Sequence, residues 1–117
     1  VFDCLKDVGV PVINFSTGTS TMLDLVQKAG GDVLSFDWRI EIDSARTILG
    51  NNQPVQGNLD PVTLFAPLPV IQDRVHDILK RAGKRGHIFN LGHGILQHTP
   101  VEHVKAVVDM VHEYKYE

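Results

Sequence analysis

The sequence predicts an α/β fold in which four βα units follow one another along 117 residues. Three observations predict it. Short apolar strands recur at intervals of about 20 to 30 residues, each followed by polar or glycine-rich residues and then a helical pattern. The clearest helical patterns repeat their apolar residues at i, i+3, i+4 and i+7. A composition of 43% hydrophobic and 21% charged residues suits a single globular segment of this length.

Taken in order, Asp3 to Val8 reads as the tail of a helix. Residues 12–15, 33–36, 55–59 and 87–91 read as strands. Met22, Leu23, Leu25 and Val26 begin a short helix closed by Gly30-Gly31. A second runs from Asp43, as its cap, to Leu49, with Gly50 as its stop. Ile71, Val75, Ile78, Leu79 and Ala82 form the buried stripe of a third, which Gly83 ends. Thr99-Pro100-Val101-Glu102 reads as a capping box with proline at the first helical position. Val104, Val107, Val108 and Val111 then make one apolar face. No linker or low-complexity stretch interrupts the series.

Four such units are half of an eight-stranded barrel, and four strands do not close by themselves. One face of the sheet is then left apolar and its edges unpaired. Either a further half covers that face, or a second copy of the chain does. The rival architecture is a small flavodoxin-like sheet with helices on both faces. Val1-Phe2-Asp3-Cys4 shows neither an initiator methionine nor a signal pattern, which reads as a cut within a longer chain.

Bulk properties exclude several functions. No apolar run approaches the 18 or so residues of a membrane span. A net charge of −3 gives no basic field for nucleic acid. The single cysteine, Cys4, allows no internal disulfide and suits a reducing cytoplasm. There is no Gly-x-Ser-x-Gly elbow, P-loop or Gly-x-Gly-x-x-Gly motif.

In parallel α/β sheets, ligand sites lie beyond the carboxyl ends of strands. The residues there are Ser16-Thr17-Gly18, Asp37-Trp38-Arg39, Asn58 with Asp60, and Asn90 with His93. Asp60 before Pro61 reads as a helix cap, and Trp38 as either pocket wall or core. His93 is the candidate of most interest. Its flanking glycines, Gly92 and Gly94, allow close backbone approach and unusual torsions. Imidazole, with a pKa of about 6.5, donates to carboxylates or moves protons near neutrality. The plainer reading is a turn histidine bonded to nearby backbone. A second possibility is that Leu91-Gly92-His93-Gly94, ahead of a helix, cradles a phosphate or other anion.

The remaining histidines read as less informative. His76 and His112 lie among charged residues on helix faces and are expected to be solvated. His93, His98 and His103 recur every five residues but span a turn and a helix start. No cysteine or carboxylate completes a tetrahedral set, so no metal site is expected.

Three motifs in register carry a family resemblance: Phe36-Asp37-Trp38-Arg39, Val55-Gln56-Gly57-Asn58-Leu59-Asp60-Pro61, and Asn90-Leu91-Gly92-His93-Gly94-Ile95. With Thr99-Pro100-Val101-Glu102-His103-Val104 following, the chain resembles the carboxyl-terminal part of uroporphyrinogen decarboxylases over essentially its whole length. The resemblance implies the last four βα units of a (β/α)8 TIM barrel, so residues 1–117 would be the carboxyl-terminal half of a catalytic domain. It implies a homodimer acting on uroporphyrinogen, whose four acetate side chains lose carbon dioxide to give coproporphyrinogen. It implies no metal or organic cofactor. His93 is the catalytic residue carried over, with Asn90, Gly92 and Gly94 beside it at the substrate. The family's arginines, central aspartate, tyrosine and serine belong to the earlier half, so this segment alone is expected to be inactive. Leu96-Gln97-His98 departs from the family by lacking a proline. Related cobamide-dependent methyltransferases bind zinc through His and Cys. Ile13-Asn14-Phe15-Ser16-Thr17-Gly18 contains no cysteine, which disfavours that relationship.

Overall fold

Alternate residues of a strand point to opposite faces, so each strand here serves a dry side and an open side. The computed structural model describes all 117 residues, Val1–Glu117. Strands β1 (Ile13–Phe15), β2 (Val33–Ser35), β3 (Val55–Gln56) and β4 (His87–Ile88) form one parallel sheet in chain order. Helices α1 (Leu23–Ala29), α2 (Ile42–Leu49), α3 (Leu68–Ala82) and α4 (Val101–Glu113) follow them in turn. Consecutive helices pack against one another, as right-handed parallel crossovers require.

The register aligns Asn14, Leu34, Val55 and His87 in one row across the sheet. Leu34 and Val55 of that row meet Leu23, Ile42, Ala45 and Ala82 in one core cluster. A second cluster joins Leu59 and Leu64 to Ile71, Val75 and Leu79 of α3 and Val107 of α4. Asn14 is the polar member of the dry row. Its amide donates to Val26 O at 3.2 Å and Gly30 O at 3.0 Å, satisfying carbonyls at the end of α1.

The other face is uncovered at its edge strands, while Val33 and Ser35 of β2 are buried between them. Ile13, Phe15 and Ile88 are 45%, 51% and 45% exposed there. The two-sided flavodoxin-like arrangement is therefore excluded, because every helix lies on the side of Leu34 and Val55.

Several local expectations need correction. The strands are shorter than read, since β3 leaves regular geometry at Gly57 (φ +136°), where a side chain would meet Phe36 O at 2.8 Å. Backbone bonds nevertheless keep the two chains adjacent, from Leu59 N to Asn90 O at 3.1 Å and Gly92 N to Leu59 O at 2.7 Å. The capping box does not form. Pro100 itself occupies the cap position of α4, and the Thr99 hydroxyl turns back to Leu96 O at 2.6 Å. Asp43 lies inside the first turn of α2 behind Glu41, and its carboxylate meets Arg81. Asp60 does cap, accepting from Val62 N at 3.0 Å, but it opens a 3-10 turn, Pro61–Phe65. Phe2–Leu5 is likewise a 3-10 turn rather than the end of an α-helix. In α4 only Val107 of the apolar face is buried, whereas Val108 is 48% exposed. His76 is half-buried, its ring 5.1 Å from Tyr114, rather than solvated.

Arg46 of α2 is buried without a carboxylate partner. Its guanidinium donates to Ala82 O at 3.0 Å and Arg85 O at 2.9 Å, at the carboxyl end of α3. There the free carbonyls and the helix dipole substitute for a counter-ion. Arg46→Ala is predicted to remove about 2 kcal/mol of stability, from lost charged hydrogen bonds. A denaturant midpoint falling at constant m-value checks this; an unchanged midpoint contradicts it.

Candidate functional site

The carboxyl end of β2 runs into a buried carboxylate that ties two loops together. Asp37 is 2% exposed. Its carboxylate accepts from Gly18 N at 2.6 Å and Arg39 N at 3.0 Å, and pairs with the Arg39 guanidinium. Burial pushes its pKa up. The Gly18 and Arg39 N–H groups and the guanidinium more than reverse this, leaving the pKa below the ordinary value. Asn58, also buried, donates to Asp37 O at 2.9 Å and Ile40 O at 2.6 Å. The loops after β1, β2 and β3 are thereby tied together.

The loop after β4 joins them through Gly92. A Cβ on Gly92 would lie 2.9 Å from Trp38 Cε3, 2.9 Å from Trp38 N and 3.0 Å from Asp37 Cα. Gly92 is buried and has no positive φ. Glycine is thus required here by the approach of one loop to another, not by ligand approach or unusual torsion. Gly94 has open space around its Cα and no positive φ, so the fold does not demand glycine there. Trp38 is one side of the Gly92 contact and is 36% exposed, which combines the wall and packing readings.

Held on Gly92, His93 is exposed and lines an open cleft of about 410 Å³ with Ile13, Phe15, Ser35, Gln56, Asn90, Leu91 and Gly94. This cleft is the uncovered face of the sheet. Asn90 Oδ1 accepts from Leu91 N at 2.8 Å, which leaves its NH2 unpartnered at the cleft. His93 differs from the histidines the fold uses. His87 Nε2–H donates to Gly57 O at 2.7 Å, and burial lowers its pKa so that it stays neutral. His103 Nδ1–H donates to Leu64 O at 2.6 Å. The His93 ring has no such tether, so the backbone-bonded turn reading does not describe it. A smaller cavity of about 80 Å³ beside Trp38, Ile40 and Asn58 contains no histidine.

This geometry bears on two alternatives. A phosphate cradle at Gly92-His93-Gly94 fails because the Gly92 N–H is donated to Leu59 O and α4 begins only at Val101. The three histidines do not converge, and no group of three His, Cys, Asp or Glu side chains is placed to hold a metal ion. The Asp37 tie to Gly18 was not legible in sequence. An acid directly after a strand with arginine two residues on was the available signal.

A single parallel sheet with its polar groups gathered at the strands' carboxyl ends belongs to the βα class, whose ligand sites lie at that end. Within that class, the chain belongs to the uroporphyrinogen decarboxylase family, whose model, "Uroporphyrinogen decarboxylase (URO-D)", matches residues 1–114. It is 57% identical over 114 residues to the uroporphyrinogen decarboxylase of Carboxydothermus hydrogenoformans, matching 97% of this chain and 33% of that protein. It is 55% identical over 112 residues to that of Solibacter usitatus, matching 95% of this chain and 32% of that protein. The chain thus spans about a third of the length of these relatives. No helix is long and apolar enough to cross a membrane.

The lowered Asp37 pKa makes a prediction with a definite sign. Its unfolded value is about 3.9, so its charge stabilises the fold above that pH, and the contribution is lost as pH falls through the lower folded value. Asp37→Asn is predicted to be less stable than the parent at pH 7, the gap narrowing below about pH 3.9. Denaturant melts at stepped pH check this; a gap independent of pH contradicts it.

Proposed function

We propose that this chain is the carboxyl-terminal portion of a uroporphyrinogen decarboxylase and supplies His93 to its active site. The observation carrying this reading is the untethered His93 imidazole standing over an uncovered apolar sheet face, in a chain of this family. On this reading, residues 1–117 are the last four units of an eight-stranded barrel. The rest of the full-length protein closes the sheet into a barrel and covers Ile88, leaving Ile13 and Phe15 on the cleft beside His93. The full-length enzyme works as a cytoplasmic homodimer without metal or organic cofactor.

The chemistry converts each acetate side chain, with uptake of one proton, into a methyl group and carbon dioxide. The difficulty is the electron pair left on the side-chain carbon as the C–C bond breaks. Protonation of the adjoining pyrrole gives that pair a destination; a second proton then replaces the carboxyl group on the carbon, and the ring gives its own proton back, so that one proton is taken up in all. His93 fits the task of holding a substrate carboxylate or the pyrrole region, because imidazole donates hydrogen bonds near neutral pH. Its value is positional: a group held within hydrogen-bond reach keeps the reacting carboxylate aligned. Asn90 contributes its free NH2 at the same cleft, and Gly94 leaves room for the substrate. Gly92 acts from beneath, by fixing the backbone on which His93 stands. Ile13 and Phe15 give the flat macrocycle an apolar surface.

In the full-length enzyme, His93→Asn is predicted to lower turnover about 10- to 100-fold and to accumulate partly decarboxylated porphyrinogens. Steady-state rates with chromatography of the products check this. Unchanged turnover and an unchanged product pattern remove His93 from the mechanism.

A further inference from the structure

We infer that Arg39 is a second anion-holding residue of this site, binding a carboxylate of the substrate beside the one engaged by His93. The inference rests on the reading above and adds a residue to it.

Arg39 is built into the rim rather than loose upon it. Its backbone N–H and guanidinium both engage the buried Asp37, and the guanidinium carbon lies 4.9 Å from the centroid of the Trp38 ring. Yet the side chain is 51% exposed. Its one side-chain hydrogen bond is to Asp37, which leaves the other N–H donors of the guanidinium directed to solvent. An arginine held by an acid and an aromatic face has already lost most of its rotamer freedom. It therefore binds a carboxylate with less ordering cost than a free lysine.

Its position relates it to His93. The Trp38 ring carries the guanidinium and also abuts Gly92, the residue before His93. Three other cations are engaged away from the strand ends: Arg46 on carbonyls of α3 and its following loop, Arg81 on Asp77 and Asp43, Lys6 on Asp3; Arg74 of α3 lines the small separate cavity beside Trp38 and Asn58. Among the strand-end residues 16–18, 37–39, 58–60 and 90–93, Arg39 is the one permanently charged cation. A substrate bearing many carboxylates needs such groups, and the chain's overall charge of −3 does not supply them.

A purely structural role, neutralising Asp37, is separated from binding by the choice of variants. Arg39→Gln leaves the Asp37 charge buried and unpaired, whereas Asp37→Asn with Arg39→Gln, set against Asp37→Asn alone, removes the guanidinium where there is no carboxylate left for it to neutralise. In the full-length enzyme, each is predicted to raise the KM for uroporphyrinogen about tenfold, more than it lowers kcat. The KM gap from the parent should shrink at high salt, which screens exposed charge. A KM within twofold of the parent for the double variant, while His93→Asn remains impaired, overturns the Arg39 assignment and leaves the proposed function standing. An unimpaired His93→Asn removes His93 from the site; no turnover of uroporphyrinogen by the parent enzyme overturns the proposed function itself.

Discussion

The buried carboxylate of Asp37 is the constraint on which the rest of this structure depends. An isolated charge out of water is costly, so it persists only where donors surround it. Here the donors come from two loops, through Gly18 N, Arg39 N and the Arg39 guanidinium. A third loop is joined through Asn58, which donates to the carbonyl of Asp37 itself. The fourth rests on the same dipeptide by contact, Gly92 against Asp37 and Trp38. One residue placed two positions after β2 thus sets the relative positions of all four strand-end loops. Removing the charge alters the rim before it alters the core, whose two clusters are apolar.

The second constraint is the asymmetry of the sheet. Its dry side is closed by helices, and even its polar members, Asn14 and His87, find partners there. Its open side keeps Ile13, Phe15 and Ile88 in solvent. Exposed apolar side chains on both edge strands of one sheet face mark a surface built to be covered. His93 and Asn90 overhang that surface with unpartnered polar groups, so the same face offers apolar contact below and hydrogen bonding at its rim. That combination suits a flat ligand with polar side chains.

The element order, the parallel sheet and the helix faces of α2 and α3 were legible because they rest on periodicity, which is a property of the chain alone. The ends were not. Thr99 and Asp43 both had the chemistry of a cap, yet α4 starts one residue later and α2 two residues earlier than expected, because Pro100 and Glu41 take the cap positions. Gly92 was legible as special and its reason was not. A glycine beside a histidine suggests a ligand, whereas the requirement comes from Trp38, 54 residues earlier in the chain. Arg46 was invisible to pattern reading, since its partners are backbone carbonyls that any sequence supplies. His93 stood out in sequence as the histidine to follow. Its separation from His87 and His103 lies in the tethers of those two, which only the fold reveals.

The central claim is that substrate lies on the open face of these four strands with His93 above it. The most direct measurement is a crystal structure of the full-length protein with a coproporphyrin or uroporphyrin bound. The account predicts the macrocycle against Ile13 and Phe15, with a His93 ring nitrogen about 3 Å from a carboxylate oxygen or a pyrrole nitrogen. A macrocycle seated away from this face, with His93 turned to solvent, would contradict it.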